Sequence, residues 1–149
     1  MIFPYHPYEV LPNPGRNEGL LYRPMVPVRV HGPKGTQIIL GLVDTGSDVT
    51  VLPSFLLPLI GAGMGTLPEA HFRGVGGQVV TARYSRVDLS LDHPAGLYRW
   101  AAPLAFLDGR DVAILGHTGF LEYFQATFDS VRRRLTLKPN SRFPGTVKS

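Results

Sequence analysis

The chain has 149 residues, 44% of them hydrophobic and only 17% charged, with a formal net charge of +4 and no cysteine. That length suits one domain with its own core, and the missing cysteines exclude disulfides, thiol catalysis and zinc–cysteine sites. With 17 glycines and 14 prolines beside so little charge, the composition favours short strands joined by tight turns over long surface helices.

Residues 1–24 contain five prolines and read as an extended N-terminal arm, too apolar at Phe3, Tyr5, Tyr8 and Leu20 to Tyr22 for a free tail. Their start lacks the basic and apolar regions of a signal peptide. A domain over residues 25–140 follows, then a C-terminal tail, 141–149. Met25 to His31 alternates apolar and polar residues, the period of a half-buried strand. Gln37 to Val43 is a continuous apolar run and is expected to be a strand buried on both faces.

Val49 to Leu52 is β-branched and reads as a further strand. Ser54 to Ile60 has room for one or two helical turns, broken at Pro58. The apolar stretch from Val51 to Met64 is interrupted by Pro53, Pro58, Gly61 and Gly63 and is too short to span a bilayer. The expectation is a soluble, cytoplasmic protein without a membrane span.

Phe72 to Leu91 reads as a hairpin with Gly74-Val75-Gly76-Gly77 at its tip. Tyr98 to Leu107 and Val112 to Leu115 are expected strands. His117 to Tyr123 is expected to be a short helix with Thr118 near its N-cap. Phe124 to Phe128 and Leu135 to Leu137 are strands around a turn. Arg132-Arg133-Arg134 in that turn reads as a solvated hairpin; the other basic residues are scattered, and nucleic acid would require a clustered basic face.

Asp44-Thr45-Gly46 closes the apolar run that begins at Gln37. Carboxylates resist burial unless paired or hydrogen-bonded, so an acid carried to the end of such a run marks a candidate functional site. Alone, the triplet is also compatible with a plain turn. Other motifs are weaker. Gly61-Ala-Gly63-Met-Gly65 lacks the spacing and the following helix of a dinucleotide loop, and reads as a turn. No Gly-x-Ser-x-Gly is present, so Ser47 is not a nucleophile-elbow serine. The histidines at 6, 31, 71, 93 and 117 show no metal-binding spacing. Neither metal nor cofactor is expected.

Context sharpens the triplet. Leu42 and Val43 precede the acid, a glycine-rich hairpin tip lies downstream, and Ile114-Leu115-Gly116 follows before a helical segment. In this order the chain resembles the retropepsin-like aspartic proteases from about Val26 to Leu137. The resemblance implies an all-β acid-protease fold, a closed β-barrel-like half with one short helix in its C-terminal half. It implies that Asp44 is the catalytic aspartate. Thr45 and Gly46 would support the active-site loop, Thr45 by locking it across a dimer. Ser47, Asp48, Val75, Gly76 and Gly77 would bind substrate, the last three as the tip of a flap. Ile114, Leu115 and Gly116 would pack under the loop. Val49, Val75, Ile114 and Leu115 are candidates for apolar pockets. Retroviral members carry an arginine after the last glycine, paired with the acid equivalent to Asp48; here His117 stands there, and a His117–Asp48 pair would need a protonated ring.

The chemistry sets a count. Peptide hydrolysis by carboxyl groups needs one ionised carboxylate to activate water and one protonated carboxyl to donate to the substrate. This chain offers one Asp-Thr-Gly. The expectation is an aspartic endopeptidase, a symmetric homodimer acting on a peptide or protein substrate with one Asp44 from each copy. The alternative is a non-catalytic dimeric peptide-binding or scaffolding module of the same fold.

Overall fold

The computed structural model describes residues 1–11, 14–15, 19–62, 67–73 and 77–148. The strands are β1 (Ile2–Pro4), β2 (His6–Glu9), β3 (Leu20–Arg23), β4 (Met25–Gly32), β5 (Gly35–Val43), β6 (Val51–Pro53), β7 (Glu69–Arg73), β8 (Val79–His93), β9 (Gly96–Leu107), β10 (Ala113–Leu115), β11 (Phe124–Asp129), β12 (Arg134–Pro139) and β13 (Thr146–Lys148). One α-helix, α1 (Leu56–Ile60), lies between β6 and β7. Among the described residues no helix is long and apolar enough to cross a membrane.

Eight strands run in the order β13-β9-β6-β10-β5-β4-β8-β7, and β8 also pairs with β9. Six of them, β9, β6, β10, β5, β4 and β8, therefore close into a barrel. Closure gives every strand an inner and an outer face. On β4 the inner face is Val26, Val28 and Val30, all fully buried, while Pro27 faces outward.

The same closure overturns the expectation for β5. Its apolar run is not buried on both faces: Ile39, Gly41 and Val43 are buried, whereas Leu40 and Leu42 are half-buried and Ile38 is 60% exposed. The outward positions of β5 are only partly covered, so a continuous apolar run still divides by the period of two.

The long strand β8 serves three partners: β4 along Asp88 to Ser90, and β7 and β9 over two successive lengths. Val79 to Arg83 pairs with β7, and Arg83 to His93 pairs with β9. The expected Phe72–Leu91 hairpin is thus confined to the first part of β8. Val87, Leu89 and Leu91 belong to the barrel wall instead, where they are buried. The hairpin tip at Gly74, Val75 and Gly76 lies outside the described residues, as do Gly63 and Gly65 of the glycine-rich turn.

A second sheet, in the order β1-β12-β11, covers one end of the barrel. The extended arm enters it directly, with Phe3 opposite Leu135 and buried in the core. Between sheet and barrel sits Trp100, its ring centroid 5.3 Å from Phe124 and 5.9 Å from both Phe120 and Phe143. The indole N–H donates to the Gly119 carbonyl at 2.9 Å, which satisfies the polar atom of an otherwise apolar cluster. The rest of the arm forms a separate hairpin, β2 with β3. The arginine triplet lies exposed at the β11–β12 turn, as a solvated hairpin should, and is also engaged there: Arg132 and Arg134 flank Asp129, and the Arg133 guanidinium lies 3.7 Å over the Tyr22 ring of β3.

The helices differ from expectation in a consistent way. Pro58 does not break α1, because it occupies the third helical position, where a backbone N–H has no intrahelical partner to lose. In the C-terminal half, the expected helix over 117–123 is reduced to a single 3-10 turn, Leu121–Tyr123. Gly119 prevents the longer helix. Its φ of +90° is left-handed, and it presses so close to the Pro103 carbonyl that no Cβ fits. Thr118 does not cap the turn; the Glu122 carboxylate accepts from the Gly119 N–H at 2.7 Å instead.

Candidate active site

Asp44 is delivered by β5. That strand runs parallel to β10, with Leu115 beside Val43, and β10 runs antiparallel to β6, with Ile114 beside Val51. The Asp44 N–H extends the first pairing by donating to the Leu115 carbonyl at 3.1 Å. The chain then leaves the ladder and turns. Gly46 N–H donates to Asp44 Oδ1 at 2.9 Å, and Ser47 N–H donates to the Asp44 carbonyl at 3.3 Å. One carboxylate oxygen is thereby fixed, and the side chain is left half-buried at the mouth of the barrel.

Ile114-Leu115-Gly116 lies under this loop. The alternation of β10 sends Leu115 into the core, fully buried against Gly41, and sends Ile114 toward the loop side. Leu115 therefore forms no pocket wall. Gly116 is a spacing requirement: a Cβ there would sit 2.7 Å from the Ser47 carbonyl oxygen and closer still to that of Val49. The approach allows His117 N–H to donate to Ser47 O, and Thr118 N–H to Asp48 O, both at 2.9 Å.

His117 does not pair with Asp48. Its Nε2–H donates to the Thr45 carbonyl at 3.1 Å. The contact needs a proton on Nε2 but no positive charge. Among the described residues Asp48 has no ion-pair partner, and its exposed carboxylate is left facing the cleft. The Ser47 hydroxyl turns back to donate to the Val49 carbonyl at 2.8 Å, and the Thr45 side chain is exposed.

These residues floor a cleft of about 460 Å³. Asp44, Gly46, Ser47, Asp48, Val49 and Ile114 line it from the loop side. Val51, Phe72, Arg73, Val80, Ala82, Leu107 and Arg110 complete the lining, from β6, the β7–β8 hairpin, the end of β9 and the segment after it. Most of this second group went unnoticed as site residues in the sequence. Phe72, Val80 and Ala82 carried a signal in the period-two alternation across the hairpin; Leu107 and Arg110 carried none, because barrel closure brings them there. Of the expected flap tip, Gly77 is described, with φ +82°, while Val75 and Gly76 are not. Among the described residues there is no cluster of three or more metal-ligating side chains.

A closed barrel that presents an Asp-Thr-Gly turn at the floor of a cleft, beneath a β-hairpin, is the architecture of an aspartic protease. The family model for retroviral aspartyl protease matches residues 20–117, from β3 to the residue after Gly116. The chain belongs to this family. Comparison with curated proteins gave no match.

Proposed function

We propose that this chain is an aspartic endopeptidase that works as a homodimer, with Asp44 of each copy forming the catalytic pair. The observation that carries the reading is the single Asp-Thr-Gly turn. Its carboxylate is oriented by the Gly46 N–H and open to a cleft large enough for peptide side chains. Two such carboxyl groups across a two-fold axis would share one proton, since like charges a few ångströms apart do not both ionise. The ionised member takes a proton from water as the water attacks the peptide carbonyl. The protonated member donates to the carbonyl oxygen; as the C–N bond breaks, the proton taken from water passes to the departing amine and the diol hydroxyl returns a proton to the second carboxylate. The β7–β8 hairpin acts as the flap, closing an extended peptide against the floor, and Thr45 links the two active-site loops.

The test is cleavage of a peptide library by the wild type and by Asp44→Asn, each assayed across a range of protein concentrations. The reading expects no turnover by Asp44→Asn at unchanged fold. It also expects specific activity to rise with concentration until the dimer saturates. Full activity in Asp44→Asn, or activity independent of concentration in a monomer, would overturn it.

One observation favours the second reading, a dimeric peptide-binding module without turnover. The Asp48 ion pair of retroviral members has no counterpart here, because His117 is engaged at Thr45. In that case the wild type would bind library peptides and cleave none.

A further inference from the structure

The cleft holds two arginines that its chemistry does not require. Arg73 ends β7, just before the hairpin tip, and Arg110 lies in the exposed segment after β9. Arg110 also borders a neighbouring hollow of about 510 Å³, so it stands at the rim where the cleft opens onto the next surface. Several other arginines are engaged. Arg29, Arg83 and Arg99 each meet a carboxylate at 2.8 Å, and Arg23 and Arg133 lie over tyrosine rings. Among the described residues Arg73 and Arg110 make no ion pair. The cleft's own acids are on the loop, Asp44 at the reacting position and Asp48 four residues on. Between floor and rim the lining is apolar: Val49, Val51, Phe72, Val80, Leu107 and Ile114.

We infer that Arg73 and Arg110 make this cleft selective for peptides with apolar residues beside the scissile bond and an acidic residue further out. The inference rests on the proposed peptidase reading and names its substrate class. An extended peptide sends alternate side chains to the same wall. Apolar side chains bury against the valines and Phe72, while an Asp or Glu further along reaches the guanidinium groups at the rim. In a two-fold dimer both ends of the cleft carry the same pair of arginines, so an acid on either side of the bond finds a partner. Guanidinium groups suit this task because they stay charged and offer a planar fork to a carboxylate.

The experiment compares three peptides that share an apolar core and differ in the outer positions, which carry Glu, Gln or Lys. Wild type is expected to cleave the Glu peptide with a kcat/KM about three- to tenfold above the Lys peptide, the range of one or two solvent-exposed ion pairs. The ratio is expected to shrink with added salt. The double variant Arg73→Glu/Arg110→Glu is expected to reverse the ratio, and Arg73→Lys/Arg110→Lys to keep its direction. Turnover of the Gln peptide reports on the peptidase reading separately. A wild type that cleaves the Gln peptide but gives a Glu-to-Lys ratio near one overturns the inference and leaves the peptidase standing. Should no peptide be turned over, fluorescence anisotropy with the same peptides gives the ratio as Kd. Binding of the Glu peptide over the Lys peptide supports the charge selection, and equal binding or none overturns it.

Discussion

His117 Nε2 lies 3.1 Å from the carbonyl oxygen of Thr45, a contact across 72 positions of sequence that ties the segment after β10 to the active-site loop. In the arrangement the resemblance implied, this position would answer Asp48 with a positive charge. Here the ring serves as a neutral-capable donor to backbone, which leaves Asp48 open to the cleft. The loop is thus braced at its middle residue by a side chain and at Ser47 and Asp48 by backbone bonds.

Removing that brace should loosen the loop without unfolding the barrel. His117→Ala is expected to cost at most about 0.5–1.5 kcal/mol, the usual net worth of one hydrogen bond, toward the low end because the site is exposed. Urea denaturation measures the stability change, and a peptide assay should show a larger effect on kcat than on global stability. His117→Gln, which can still donate, should recover part of the loss. Equal activity in wild type and His117→Ala would show that the contact does nothing for the loop.

Gly116 tests the packing under the loop. Gly116→Ala places a methyl group inside the contact distance of the Val49 and Ser47 carbonyls, both backbone atoms that cannot rotate away. Overpacking of this kind costs about 1–3 kcal/mol. The variant is expected to lose activity and to unfold at lower denaturant. Gly109→Ala, by comparison, has open space around the added Cβ and carries only the strain of its left-handed φ of +70°. If the two variants behaved alike, the argument from close approach would fail.

Trp100 tests the join between barrel and second sheet. Trp100→Phe removes part of a fully buried ring and leaves the Gly119 carbonyl without its indole donor. An unsatisfied buried acceptor costs about 1–3 kcal/mol, and the cavity adds to it. Thermal unfolding followed by circular dichroism should show a clear drop in Tm; a shift of a degree or less would mean that water satisfies the carbonyl and the ring space refills.

His31 supplies a pH dependence. On β4 its Nδ1 is 2.8 Å from Thr36 Oγ1 and its Nε2 2.8 Å from Ser90 Oγ, the latter a buried serine. Burial, then the nearby Arg99 charge, holds its pKa below the ordinary value of 6.5. The unfolded chain therefore takes up the proton first. The stabilisation is present above the ordinary value and is lost as pH falls below it, through the folded-state value. Between about pH 7 and about pH 5, the Tm of the wild type should fall more than that of His31→Gln. Parallel Tm curves would remove His31 from the acid sensitivity.

By itself the sequence determined what depends on local order. The alternation of β4 is a property of neighbouring residues, and so are the turn at Asp44-Thr45-Gly46 and the apolar-apolar-glycine run at Ile114 to Gly116. Their order along the chain was enough to read the fold family and to mark Asp44 as the candidate catalytic residue. Tertiary structure decided what depends on closure. The run at Gln37 to Val43 looked buried on both faces because composition reports apolarity, not which faces find cover. The return arm of the hairpin looked continuous because pairing partners are not written in a strand's own residues, so the division of β8 between β7 and β9 was invisible. His117 looked like a partner for Asp48, but a ring reaches whichever acceptor the fold brings within 3 Å or so. Barrel closure brought it the Thr45 carbonyl, and the same closure carried Leu107 to the wall of the cleft and Arg110 to its rim.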